Sequence, residues 1–260
     1  MTHASTKPYI PDEFHVRDLY HPDVMANPYP YYAHLRDEPI QFGLEDYPPG
    51  TIPGLDKPYP AWVVLKHADV QEVCRRADVF SSRDIMQEES EAPTLMLVNH
   101  DDPRHAELRK IAQMAFSPKR VMSDVAPWME TTVEAQLDMV GGGTVDFMQD
   151  LAPNLPALVM TKLIGTPEED YVLLRRWANA FMVTADFTLE ERKQCNVELF
   201  QYYVDAVAER YSDIESGKQL TDDLMTAFIL AESEGQKLTR DEVVRFCITL
   251  VVAGAETTTY

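Results

Sequence analysis

Apolar residues return at helical intervals along most of the chain. Behind Pro103, the residues Leu108, Ile111, Ala112 and Ala115 fall at i, i+3, i+4 and i+7, one face of a helix over 103–116. The same spacing, broken by Gly and Pro, predicts a first helix around 29–37 and another over 67–76. Further helices are predicted over 119–140, 150–164, 168–184, 189–215, 221–232 and 239–260. Gly141-Gly142-Gly143 reads as a turn, and Ser216-Gly217 ends a helix. Strand signal is scarce: Ala61-Trp62-Val63-Val64-Leu65 reads as one strand, with Pro39-Ile40-Gln41-Phe42 as its short partner. A proline-rich connection from Tyr47 to Pro60 separates the first helix from that strand. The pattern predicts a mainly α fold with a small β-sheet, and we expect a single domain over residues 1–260.

Composition narrows the function. The 260 residues are 45% hydrophobic, ordinary for a globular chain. A net charge of −20 leaves no broad basic surface for phosphates, which argues against nucleic acid. The densest basic cluster against that background is Arg104, Arg109, Lys110, Lys119 and Arg120. Residues 1–14 contain no apolar core, so a signal peptide or membrane anchor is not expected there, and the protein reads as cytoplasmic. The longest apolar run, Phe246 to Ala255, is far short of the ~20 residues that span a bilayer. Three cysteines supply no disulfide framework.

The pattern breaks at Ala253-Gly254-Ala255-Glu256-Thr257-Thr258-Thr259-Tyr260. Gly254 costs a helix interior about 1 kcal/mol relative to Ala. Three threonines in a row are stiff at χ1. Glu256 is an ionisable group on an otherwise apolar helix, expensive to bury unpaired. Ala253 and Thr257 share a face, as do Gly254 and Thr258. Missing side-chain bulk at Gly254 would admit a flat ligand, with the Thr257 hydroxyl beside it and the Glu256 carboxylate able to relay protons. The alternative is a glycine packed on a crossing helix, with Glu256 paired to an arginine. The motif A-G-x-[DE]-T-T resembles the distal, oxygen-binding helix of the cytochrome P-450 family, the haem-thiolate monooxygenases.

Other segments carry the same resemblance in the same order. In Asn99-His100-Asp101-Asp102-Pro103-Arg104-His105-Ala106-Glu107-Leu108-Arg109, Asp101 or Asp102 can cap a helix with Pro103 in its first turn. His105 and Arg109 are i, i+4 neighbours, two donors pointing one way and suited to carboxylates. The stretch is similar to the bacterial family pattern D-P-P-x-H-x-x-x-R, whose His and Arg hold the haem propionates; Asp102 stands where the family has proline. His67-Ala68-Asp69-Val70, Phe80-Ser81-Ser82, and Ile164-Gly165-Thr166-Pro167-Glu168-Glu169-Asp170 resemble further family segments. The likeness covers most of residues 28–260.

The family's axial cysteine, set in a glycine-rich loop after a Glu-x-x-Arg helix, has no counterpart here. Cys74, Cys195 and Cys247 sit within helical patterns. We therefore expect the N-terminal portion of a cytochrome P-450-like fold, inactive alone, with the axial Cys beyond Tyr260. The resemblance implies haem b, held by His105, Arg109, Ala253, Gly254 and Thr257, with Glu256 and Thr257 catalytic. It implies an apolar substrate pocket formed by Met86, Leu95, Met96, Leu97, Trp177, Phe181, Met182 and Leu250, with Phe187 also in its roof. The reaction implied is insertion of one oxygen atom of O2 into a hydrophobic small molecule. Electrons would come from NAD(P)H through a ferredoxin-type donor docking near Arg104, Arg109, Lys110, Lys119 and Arg120. The alternatives are a haemless helical binding module and a haem-thiolate enzyme of peroxygenase or isomerase type.

Overall fold

The computed structural model describes residues 14–37, 41–47, 57–83, 94–116, 122, 125–182, 185–233 and 235–259. The chain divides into two compact units, residues 1–91 and 92–260.

In the first unit, β1 (Phe14–His15), α1 (Pro22–Ala26) and α2 (Tyr29–Leu35) precede β2 (Gln41–Glu45), β3 (Tyr59–Val63) and α3 (His67–Arg75). β1 pairs in parallel with β2, and β2 pairs antiparallel with β3, with Phe42 opposite Trp62. Those two rings form an edge-on pair with centroids 4.8 Å apart, of the kind that stabilises cross-strand neighbours. Phe14, Val24, Tyr31 and Leu35 form the buried centre. The expected partner strand is therefore present from Gln41 onward, while Pro39 and Ile40 lie outside the described residues.

The second unit is helical: α4 (Arg104–Ala115), α5 (Ala126–Val140), α6 (Phe147–Asp150), α7 (Asn154–Ile164), α8 (Tyr171–Phe181), α9 (Leu189–Glu215), α10 (Leu224–Leu230) and α11 (Arg240–Thr259). A two-stranded hairpin, β4 (Glu232–Ser233) with β5 (Gln236–Lys237), joins the last two helices. α7, α8 and α9 pack on α11, which runs through the middle of the core with Val243, Phe246, Cys247, Ile248 and Val251 buried. Phe228 of α10 stacks on Phe246 at 4.9 Å. Among the described residues no helix is long and apolar enough to cross a membrane.

Local signals explain where the helices begin and end. Thr188 and Glu191 form a reciprocal capping box at the start of α9. The helix expected over 221–232 is shorter, Leu224–Leu230, because the Asp223 side chain caps it by accepting from the Thr226 N–H at 2.7 Å. The helix expected over 150–164 starts later, at Asn154 after Pro153, and the short α6 capped by Asp146 is a separate element that ends at Asp150. α5 starts only at Ala126; residues 119–121, 123 and 124 of the helix expected there lie outside the described residues. α4 starts after Pro103, which is itself the residue before the first turn. Asp102 supports that turn by accepting from the Ala106 N–H at 3.1 Å.

Candidate functional site

α11 remains helical through Thr259, so its polar end is displayed on regular geometry. The three threonines are accommodated partly by back-bonding: the Thr257 hydroxyl donates to the Ala253 carbonyl, and the Thr259 hydroxyl to that of Ala255 at 2.9 Å. Ala253 and Thr257 are exposed along one edge, while Ala255 and Glu256 turn inward. Thr258 and Thr259 face elsewhere, lining an apolar cavity of about 350 Å³ with Val133, Leu137, Phe147 and Leu155.

Gly254 has a packing role in this arrangement. A Cβ added there would fall 2.3 Å from Sδ of Met160, so the glycine lets α7 cross α11 closely. Of the small residues on this turn, Ala253 is the one left open beside Thr257.

Glu256 is only 6% exposed. Burial pushes its carboxyl above the ordinary glutamate range, and the positive charge of Arg175 on α8 opposes that in part. Arg175 itself donates to Oδ1 of Asn154, the first residue of α7, at 2.9 Å. An arginine does therefore stand near the acid, as one of the two readings of the sequence required, but its hydrogen bond goes to an amide.

The other half of the site is α4 and the segment before it. Arg104 bonds Glu107 at 3.0 Å and also pairs with Glu242 of α11, tying the two helices. Burial alone would raise the Glu242 carboxyl, but the Thr239 N–H and Arg104 hold it below the ordinary range. His105 Nδ1 is 3.5 Å from Asp102 Oδ1. Arg109 is exposed and makes no hydrogen bond or ion pair among the described residues. Upstream, the Met96 N–H donates to the Thr249 hydroxyl at 2.8 Å, pinning this segment to α11. Leu97 next to it holds φ = 69°, the left-handed region that costs a leucine on the order of 1–3 kcal/mol. Burial, assisted by Arg104, pushes the His100 imidazole below its ordinary pKa.

The residues expected to line a pocket separate into groups. Met96 and Trp177 are core residues, 2% and 4% exposed, and Trp177 Nε1 donates to Glu198 at 2.9 Å. Leu95, Leu97, Phe181, Phe187 and Leu250 are half-buried against the same core, and Met182 is exposed. Met86, Lys119 and Arg120 lie outside the described residues. Sequence reasoning missed Met160, Arg175 and Thr249. Thr249 alone carried a local signal, as the one hydroxyl inside the apolar run 246–252; the other two reach the site only through tertiary packing. Of the cysteines, Cys74 is exposed on α3, whereas Cys195 and Cys247 are buried and burial raises both thiols.

A family model described as Cytochrome P450 matches residues 160–260. Over 270 aligned residues the chain is 33% identical to a Steroid C26-monooxygenase of Rhodococcus jostii (strain RHA1), covering 98% of this chain and 54% of that protein. The chain belongs to the cytochrome P450 family. A Steroid C26-monooxygenase of Mycolicibacterium smegmatis is 34% identical over 245 residues, 87% of this chain and 54% of that protein. Among solved structures, the Mycobacterium marinum cytochrome P450 CYP268A2 in complex with pseudoionone superposes with a TM-score of 0.76 at 25% identity. It is matched over 98% of this chain and 63% of that one. CYP109E1 from Bacillus megaterium in complex with testosterone gives 0.66 at 28% identity, over 90% of this chain and 56% of that one. The chain thus spans about half the length of the curated cytochrome P450 relatives it matches.

Membership implies haem iron, and the residues present suit that group. α4 offers two donors at i, i+4, and the guanidinium of Arg109 is not committed to any described carboxylate. The exposed Ala253–Thr257 edge of α11 has little bulk to hold off a flat ring.

Proposed function

We propose that this chain is part of a haem-dependent monooxygenase that inserts one oxygen atom of O2 into a hydrophobic small molecule. The observation that carries the proposal is the arrangement at the end of α11: a small residue and a hydroxyl on the open edge, with a buried acid one position away. When bound, haem would supply the iron at which dioxygen is activated. His105 and Arg109 would hold its propionates by charge-assisted hydrogen bonds. Ala253 would let the ring approach α11. Thr257 would hold a water or a proton at its hydroxyl oxygen on the open edge. Glu256, buried and raised in pKa, would take up and release protons between that hydroxyl and the surroundings of Arg175.

The apolar side chains of Leu95, Leu97, Phe181, Phe187 and Leu250 support a hydrophobic substrate and would keep bulk water away from it. A steroid or an isoprenoid-like ketone is the substrate class that the names of the relatives suggest for this chain. Electrons would reach it from NAD(P)H through a separate ferredoxin-type donor in the cytoplasm. Arg104, Arg109 and Lys110 are the described members of the basic cluster at which that donor would dock.

The test uses the haem-loaded full-length protein and records product and peroxide formed per reducing equivalent consumed. Thr257→Ala should keep substrate binding and NAD(P)H consumption but divert oxygen to hydrogen peroxide. Glu256→Gln should slow turnover by roughly 10²–10⁴-fold. Normal coupling in Thr257→Ala would make the threonine a plain helix residue and remove the proposal's support.

A further inference from the structure

Arg192 lies near the start of α9 and is 4% exposed. Its Nη1 donates to the Ala180 carbonyl at 2.8 Å and to the Met182 carbonyl at 2.7 Å, and Nη2 donates to the carbonyl of Ala185. The guanidinium carbon also lies 6.0 Å from the centre of the Phe187 ring. The carbonyls at the end of α8 have no partners within the helix and carry the negative end of its dipole. A buried cation beside them is therefore held where the field favours it. The backbone it touches is folded by short turns, with the Met182 N–H donating to Asn179, Ala185 to Met182 and Phe187 to Ala185, at 3.0, 3.0 and 2.9 Å. One side chain thus holds carbonyls on both arms of the α8–α9 connection at once. Lysine would keep the charge but lacks the planar fork that reaches separate acceptors.

We infer that Arg192 is a positioning residue that fixes the apolar wall made by Phe181 and Phe187, and so sets which hydrophobic substrates fit. This inference rests on the monooxygenase reading for its substrate, while the clamp itself can be tested without haem. Phe181 and Phe187 are both half-buried on the core that includes Leu199 and Tyr203, so a wall fixed by Arg192 has a rigid backing. With the clamp gone, the two rings would be held in register less firmly, and the wall would adapt to substrates of different shape at the cost of tight binding to any.

The experiment has two arms. In the 260-residue chain, hydrogen exchange at the Ala185 and Phe187 amides should speed up by about tenfold or more in Arg192→Lys and Arg192→Met, because charged hydrogen bonds are lost. Amides in the middle of α9 should not change. In the haem-loaded full-length protein, the same variants should raise KM for the preferred substrate by about tenfold while leaving kcat within about threefold, and should flatten discrimination among hydrophobic substrates. Unchanged exchange overturns the clamp. Faster exchange with unchanged KM and selectivity overturns the assignment to the substrate wall and leaves the monooxygenase reading intact. Should the Arg192 variants not fold, Phe187→Ala decides: altered selectivity supports the inference, and unaltered selectivity overturns it. Loss of monooxygenase chemistry in every variant and in the parent alike would instead count against the functional reading, with the exchange arm still standing.

Discussion

Glu256 is almost wholly buried on an apolar helix, so its ionisation costs more in the folded chain than in the unfolded one. A carboxyl whose folded pKa is raised contributes stability that is fully present below the ordinary glutamate range. That contribution is lost as pH rises through the raised value. Glu256→Gln removes the titration and keeps the shape. Its unfolding free energy should lie closest to the parent's below the ordinary glutamate range, exceed it by a growing margin as pH rises from there to the raised value, and level off above that. Urea unfolding across that range measures the difference, and a gap that stays constant with pH would mean that Glu256 does not titrate in this way. The sequence singled out this residue, because an acid inside an apolar run is a local irregularity that any reader of the chain can see. It gave no means of finding Arg175, whose effect on Glu256 depends on how α8 packs against α11.

At the level of elements, the contact of α7 with α11 turns on one missing methyl group. Gly254→Ala gains helix propensity of about 1 kcal/mol, but its Cβ would press on Met160 Sδ at 2.3 Å. Overpacking in a filled core costs about 1–3 kcal/mol, so the net change should be a loss on the order of 1 kcal/mol. Shortening the partner in Gly254→Ala/Met160→Ala should recover part of that loss, a coupling that a double-mutant cycle reads directly. Strictly additive losses would show that Met160 is not what requires the glycine. Helix positions were largely legible beforehand for physical reasons of the same local kind. Residues 189–215 form one helix as expected, because Thr188 with Glu191 starts it and Ser216-Gly217 ends it. The flat-ligand reason for Gly254 was legible only as one of two possibilities, because an absent side chain looks the same in sequence whether a ligand or a methionine fills the space. Trp177 and Met96 show the same limit: spacing gives an apolar face, and only packing decides whether that face meets the core or a substrate.

Across the whole molecule the same physics bears on haem ligation. A thiolate ligand needs a cysteine that can lose its proton beside the metal. Cys195 and Cys247 are fully buried in the second unit, and burial raises both thiols, so each behaves as a small apolar core residue. Cys74 is exposed, but it belongs to α3 of the first unit, on a helix with no buried residue to hold it in a pocket. Neither of the two buried thiols combines access with a lowered pKa. The i, i+4 donors of α4 and the open edge of α11 are nevertheless present, and under the proposed function they would hold the ring without supplying a thiolate bond. The 260-residue chain, reduced with haem and carbon monoxide, should therefore give no thiolate-type Soret band, whatever haem it retains. Haem it does retain should depend on the α4 donors and be weakened by replacing both His105 and Arg109 with Ala, with helix content unchanged. A stoichiometric thiolate-type band would overturn this. Its loss in Cys74→Ser, Cys195→Ser or Cys247→Ser would then identify which of these three sites had been misjudged.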